Sequence, residues 1–384
     1  MAARRLLLFF ALVLIFSFGA PRVPAQSGRT APTPTPTPTP QEKPADDQDP
    51  VKVFTEEVRL PLVAFDDYGY FDPTLEQGDV LVIEDGVQQQ VRSIRRTPAS
   101  ILLVLDVDAQ ITIGKRTDTT KAIAKRLLSR VREGDEVAVL QFGNGVQVLQ
   151  DWTTAAASVR DVVQTKLSGG KRGRLSEAVV AAARLLKDRQ PGNRHVVFIT
   201  DGIETPGGKV AYADAVKQLI AAQATVHVIS YTGLVRDAIA DRYKKGPVKG
   251  GDGQQRDPRI GAPDPTMPDG SINRTSPTFR VMTIDTDRAM RRWYKKYSEE
   301  TKANERRLTS LAEETGGQLL LPESPDELLA QADLVLRDIG AQYVVTYTPK
   351  RPLAQAAAGE YRRIEVAPRR TGVRLRARRG YIAK

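Results

Sequence analysis

The chain has 384 residues, 41% hydrophobic and 27% charged, enough to bury a sizeable core and too polar for a protein of many membrane spans. It has no cysteine, which excludes disulfides, thiolate metal sites and a cysteine nucleophile, and only two histidines, His195 and His227, which disfavours histidine-based metal or acid–base centres. The formal net charge is +11, yet no recognition-helix, zinc-finger or aromatic-interleaved basic pattern is present, so no specific nucleic acid is read as a partner.

In chain order, Arg4 and Arg5, an apolar run over 6–20 and Val23-Pro24-Ala25 before Gln26 follow the pattern of a secretory signal peptide, assigned to residues 1–25. The run is short for a spanning helix, so cleavage, export to the periplasm or the exterior, and no permanent membrane span are expected. Residues 26–50 form a spacer: Thr and Pro alternate over 33–40, and proline's locked φ keeps such a stretch extended before an acidic end. Residues 51–97 read as a β segment, with Glu84-Asp85-Gly86 as the turn of a hairpin.

Over residues 98–340 the rhythm is α/β. Residues 101–105 are a continuous apolar run, as expected for a strand buried on both faces of a parallel sheet. Helical spacing over 117–131 follows, then strands over 136–142 and 145–149, helices over 155–167 and 175–186, a strand over 196–200, a helix over 210–222 and a strand over 225–231. Residues from 233 to about 280, rich in Gly, Pro, Asp and Lys, are expected as a mobile surface insertion. Helical character returns over 285–311 with Met290, Trp293, Tyr297 and Leu308, and Gly316-Gly317 stops it. A short strand over 318–321 precedes a last helix with Ser324 as N-cap and Pro325 at its first position. Residues 341–384 form a C-terminal β tail rich in arginine (Arg369, Arg370, Arg374, Arg376, Arg378, Arg379).

The strand ending Leu105-Asp106-Val107-Asp108-Ala109-Gln110, the strand Glu136–Phe142, the loop Ser168-Gly169-Gly170 and the strand ending Thr200-Asp201-Gly202 together resemble the von Willebrand factor A domain. The flanking β segments and the ending Arg-Gly-Tyr resemble exported bacterial proteins that frame such a domain. The resemblance implies a Rossmann-like α/β sandwich with a mostly parallel sheet and helices on both faces. It also implies protein–protein interaction or adhesion, without catalysis, through loops at the carboxyl edge of the sheet.

The family's metal-ion-dependent adhesion site uses a D-x-S-x-S turn, a threonine and a further aspartate. Here Asp106 and Asp201 match the two aspartates, while Asp108, Gln110 and Gly173 stand at the three hydroxyl positions. Mg²⁺ tolerates geometric error poorly, whereas Ca²⁺ accepts looser oxygen shells. Two readings stay open. In one, Asp106, Asp108 and Asp201 still gather a divalent cation, Mg²⁺ or Ca²⁺. In the other the site is degenerate, no cofactor is bound, and Lys171, Arg172 and Arg174 neutralise the acids.

Lys115, Lys171, Arg172, Arg174 and Glu204 are the expected interaction surface, Glu204 as a solvated loop charge in preference to an acid supporting the aspartates from behind. The expected partners are proteins of the cell envelope or exterior. A metal-assisted hydrolase, or a structural binder of anionic envelope polymers through the arginine-rich tail, are the alternatives. Both histidines are read as structural, since neither has a partnered nucleophile motif.

Overall fold

The computed structural model describes residues 56–107, 117–234, 236 and 286–383. The expected signal peptide, the spacer, most of the insertion, and Asp108, Gln110 and Lys115 lie outside these residues. Strands β1 (Val58–Asp66), β2 (Val80–Glu84), β3 (Val87–Gln89) and β4 (Val91–Arg95) come first. Then follow β5 (Ser100–Asp106), α1 (Thr117–Leu128), β6 (Glu136–Phe142), β7 (Val146–Thr153), α2 (Ala156–Lys166) and α3 (Leu175–Lys187). The α/β unit closes with β8 (Arg194–Ile199), α4 (Tyr212–Ala221), β9 (Thr225–Ile229), α5 (Thr286–Glu314), β10 (Leu319–Leu320) and α6 (Pro325–Gly340). Last come β11 (Gln342–Tyr347), β12 (Tyr361–Pro368), β13 (Val373–Ala377) and β14 (Gly380–Ile382).

The central sheet has six strands in the order β10-β9-β8-β5-β6-β7, all parallel except β7, which runs antiparallel to β6 at the edge. Side chains of successive strand residues point to opposite faces, so the continuous apolar runs serve two cores at once. Ile101, Leu103 and Leu105 of β5 join the core beneath α1, α2 and α6, while Leu102 and Val104 join the core beneath α3 and α4. Each such buried aliphatic side chain contributes roughly 1.5–3 kcal/mol. Helix α5 contributes Tyr297 to the first core and Leu308 and Leu311 to the second. The expected mostly parallel sandwich with helices on both faces is thus borne out.

The β runs before and after the α/β unit share two four-stranded antiparallel sheets, β13-β1-β11-β4 and β14-β12-β2-β3. β1 pairs with β11 and β13, and β12 pairs with β2, although each pairing spans the whole α/β unit in sequence. Their inner faces pack Leu60, Leu62, Val82, Val345 and Ile364 into a third core. At its centre, Arg362 Nη1 donates to Glu84 Oε1 at 3.0 Å, and the hydroxyls of Tyr347 and Tyr381 donate to Glu84 Oε2 at 2.6 and 3.1 Å. The hairpin acid and the tyrosine of the terminal Arg-Gly-Tyr, far apart in sequence, meet here.

This packing changes the reading of the arginine-rich tail. Arg370 pairs with Asp72 and Asp79, Arg376 with Asp338 and Arg379 with Glu313. Arg374 Nη2 donates to the carbonyls of Asp66 and Asp67, and Arg378 is buried with Nη2 on the Arg59 carbonyl. Arg369 is exposed. Most of these cations therefore hold the sandwich and its junction with the α/β unit together. Among the described residues, no helix is long and apolar enough to cross a membrane.

Candidate functional site

The carboxyl edge of the sheet is where crossover loops of an open parallel sheet leave a crevice. β5 and β8 are adjacent and in register up to Leu105 opposite Ile199, so their ends place Asp106 and Asp201 on one rim. Both are only 1% exposed. Thr200 Oγ1 donates to Asp106 Oδ2 at 2.8 Å and accepts the Gly202 N–H at 3.0 Å. Asp201 Oδ1 accepts the Ile203 N–H at 3.1 Å. Gly202 has φ +72, and a Cβ there would lie 2.8 Å from Leu308 Cδ1, so glycine lets α5 close over the turn.

The neighbouring loops are stitched to the same rim. Val107 N–H donates to the Phe142 carbonyl at 3.0 Å, and Gly170 N–H to the Val107 carbonyl at 2.7 Å. Lys171 N–H donates to Asn144 Oδ1 at 2.8 Å, and the side chains of Lys171 and Arg172 are exposed.

Residues that sequence reasoning passed over complete the rim. Tyr297 of α5, read from the sequence only as part of an apolar helix face, is 3% exposed. Burial holds its hydroxyl protonated far above the ordinary range; the charge of Asp201 adds to this, Arg236 opposes it, and Glu305 and Asp106 reinforce it. The phenol therefore lies within electrostatic reach of both aspartates. Arg236 makes an ion pair with Glu305, and its Nη1 donates to Thr301 Oγ1 at 3.2 Å. The Thr232 hydroxyl also donates to Glu305. A tyrosine on an otherwise apolar helical stripe was the one local signal, because a buried hydroxyl calls for polar company.

Of the three hydroxyl positions that the resemblance implies for a divalent cation, Asp108 and Gln110 lie outside the described residues, and Gly173 carries no side-chain oxygen. Gly173, at the threonine position, donates its N–H to Thr205 Oγ1 at 2.9 Å, and its carbonyl accepts the Thr205 N–H at 3.0 Å, so the two loops are joined here by one side-chain and one backbone bond. Thr200 already occupies one oxygen of Asp106, and among the described residues no three His, Asp or Glu side chains gather as metal ligands. Arg174, expected among the neutralising cations, instead turns Nη1 toward the flank of Gly208.

Glu204 also departs from expectation. It is half-buried rather than solvated, and Oε2 accepts both the N–H and the hydroxyl of Ser176 at 2.8 Å, capping the start of α3. Both histidines are buried in the sheet, with His195 near the start of β8 and hence near the opposite edge.

Residues 101–204 match the von Willebrand factor type A domain. No curated protein matches the chain in sequence. Among solved structures, BatB from Bacteroides thetaiotaomicron is 18% identical, with TM-score 0.31 over 35% of this chain and 66% of that one. The chain thus spans just under two thirds of that protein's length. An aerotolerance-related membrane protein from Bacteroides fragilis is 16% identical, with TM-score 0.36 over 62% of this chain and 98% of that one. A von Willebrand factor type A protein from Catenulispora acidiphila is 11% identical, with TM-score 0.42 over 80% of this chain and 73% of that one.

Proposed function

Starting from a chain whose residues 101–204 match the von Willebrand factor type A domain, we propose that it is an exported protein–protein interaction or adhesion module that works through the carboxyl edge of its sheet. The supporting observation is the rim itself. Asp106 and Asp201 are buried, and the loops beside them are stitched together by backbone bonds, leaving Lys171 and Arg172 facing outward. Such a rim presents a preformed charged surface and loses little conformational entropy on binding. We read the metal site as degenerate, with binding that does not depend on a cation. The placement of both histidines within the sheet leaves the rim without an imidazole base, which supports binding over turnover. Export rests on the order of charged, apolar and small residues over 1–25.

The test is capture from a cell-envelope extract on the immobilised full chain, with and without chelator, beside the double variant Lys171→Glu/Arg172→Glu. One discrete protein partner should be retained equally with chelator and lost, by about tenfold or more, in the charge-reversed variant. Capture that the variant leaves intact would count against this edge as the working surface. Capture lost to chelator and to Asp106→Asn would instead establish a functional metal.

A further inference from the structure

On the α3 and α4 side of the sheet, a cavity of ≈170 Å³ opens between the 202–208 loop, the starts of α3 and α4, and α5. Leu175, Val210 and Leu308 form its apolar wall, and Glu204, Tyr212 and Arg307 its polar one. The volume is far more than a single water needs.

Several polar atoms here have no partner within the fold. Glu204 uses Oε2 to cap α3, and its buried Oε1 makes no hydrogen bond. The buried Tyr212 hydroxyl and the buried Nη1 of Arg174 make none either. A Cβ on Gly208, itself part of the lining, would lie 3.2 Å from Glu204 Oε1 and 3.6 Å from Arg174 Nη1, so both atoms face that glycine. The Arg307 guanidinium carbon lies 5.3 Å from the centre of the Tyr212 ring. Burial raises the pKa of the Tyr212 hydroxyl, Arg307 opposes the shift and Glu204 adds to it, so the phenol feels both a cation and an anion.

Buried donors and acceptors normally find partners, so a carboxylate oxygen and a hydroxyl left over on lining residues, with a guanidinium nitrogen left over behind Gly208, point to a ligand that meets them. A lone cation would satisfy Glu204 but face Arg174 and Arg307. A lone anion would satisfy the arginines but leave Glu204 Oε1 unmet. One small molecule carrying both charges satisfies all of them with charge-assisted bonds.

We propose that this cavity binds a free α-amino acid as its zwitterion, with the ammonium group on Glu204 Oε1 and the Tyr212 hydroxyl, and the carboxylate on Arg174 and Arg307. Leu175, Val210 and Leu308 then select a small aliphatic or hydroxylated side chain. The site does not depend on the rim binding another protein.

Calorimetric titration of the full chain with glycine, L-alanine and L-serine tests this, with propionate and ethylammonium as single-charge controls. At least one amino acid should bind saturably, with both controls about tenfold weaker or more. Tyr212→Phe removes an oxygen that the fold does not use, so it should leave the melting temperature unchanged and weaken binding about fivefold or more. Gly208→Ala, at a backbone position outside the left-handed region, should block the site. Should that variant unfold, Tyr212→Phe carries the test alone. The proposal is overturned if no amino acid saturates the protein, if propionate or ethylammonium binds as tightly as the zwitterion, or if Tyr212→Phe binds unchanged.

Discussion

Glu84 is 3% exposed, and a carboxylate so placed is tolerable only because Arg362, Tyr347 and Tyr381 all donate to it. Glu84→Gln would leave the fully buried guanidinium of Arg362 with Glu360 as its remaining counter-ion. We expect a loss of about 2–3 kcal/mol in urea unfolding, against about 1 kcal/mol for Tyr381→Phe, which removes one neutral donor. Equal midpoints for wild type and Glu84→Gln would contradict this account. The histidines set a pH dependence. Their rings stack 5.7 Å apart, and burial, aided by the charge of Arg132, pushes the pKa of His195 down to about 3. His227 is driven well below its ordinary value by burial, then by His195 and Arg376. Both are neutral when folded, but in the unfolded chain they protonate near pH 6.5. Their contribution is therefore fully present above pH 6.5 and is lost as pH falls from there toward 3. Both ring nitrogens of His227 lack a partner, so His227→Leu should flatten this acid limb; identical slopes of stability against pH in variant and wild type would refute it.

At the scale of elements, the joints around α5 and α6 are set by a few residues. Gly316 takes φ +83 just beyond α5, and a Cβ on Gly317 would lie 1.9 Å from the Val226 carbonyl oxygen. The chain must cross that close to β9 for β10 to pair with it, so Gly317→Ala should cost about 3 kcal/mol in thermal unfolding. A cost within experimental error would mean that the crossing relaxes freely. Ser324 accepts the Glu327 N–H at 3.1 Å as the N-cap of α6. Ser324→Ala should cost about 1 kcal/mol and Ser324→Asn far less; a reversed order would argue against capping as the cause. At the other end of α6, Arg96 and Arg132 both donate to the Gly340 carbonyl, which satisfies one of the helix's orphan acceptors and ties it to the junction with the β-sandwich.

At the scale of the whole molecule, the sandwich belongs to both ends of the sequence. Removing residues 341–384 would deprive β1 of β11 and β13, and β2 of β12, exposing Leu60, Leu62 and Val82. Unpaired strand edges over apolar faces associate. The truncated chain should run as aggregates in size-exclusion chromatography and the full chain as a discrete peak; a monomeric, cooperatively unfolding truncation would show that the sandwich is dispensable. Arg362, Arg370, Arg376 and Arg379 are paired with acids, so the excess of +11 is carried by other cations of the chain.

The sequence by itself determined the strands of the parallel sheet, the helices between them, the Ser324 cap and the two aspartates at strand ends. These are written locally: a doubly buried strand is a continuous apolar run, and a cap or a strand end is a matter of a few neighbouring residues. Only the tertiary structure decided the rest. Thr200 reaches Asp106 across 94 positions, Tyr343, Tyr347 and Tyr381 pack against strands from the opposite end of the chain, and Tyr297 comes near the aspartates from beyond the insertion, with Arg236 from its start. Glu204 looked like a loop charge because the helix start it caps lies 28 positions earlier. Contacts of that range leave no periodicity along the chain, since they depend on how the layers stack rather than on which residues adjoin.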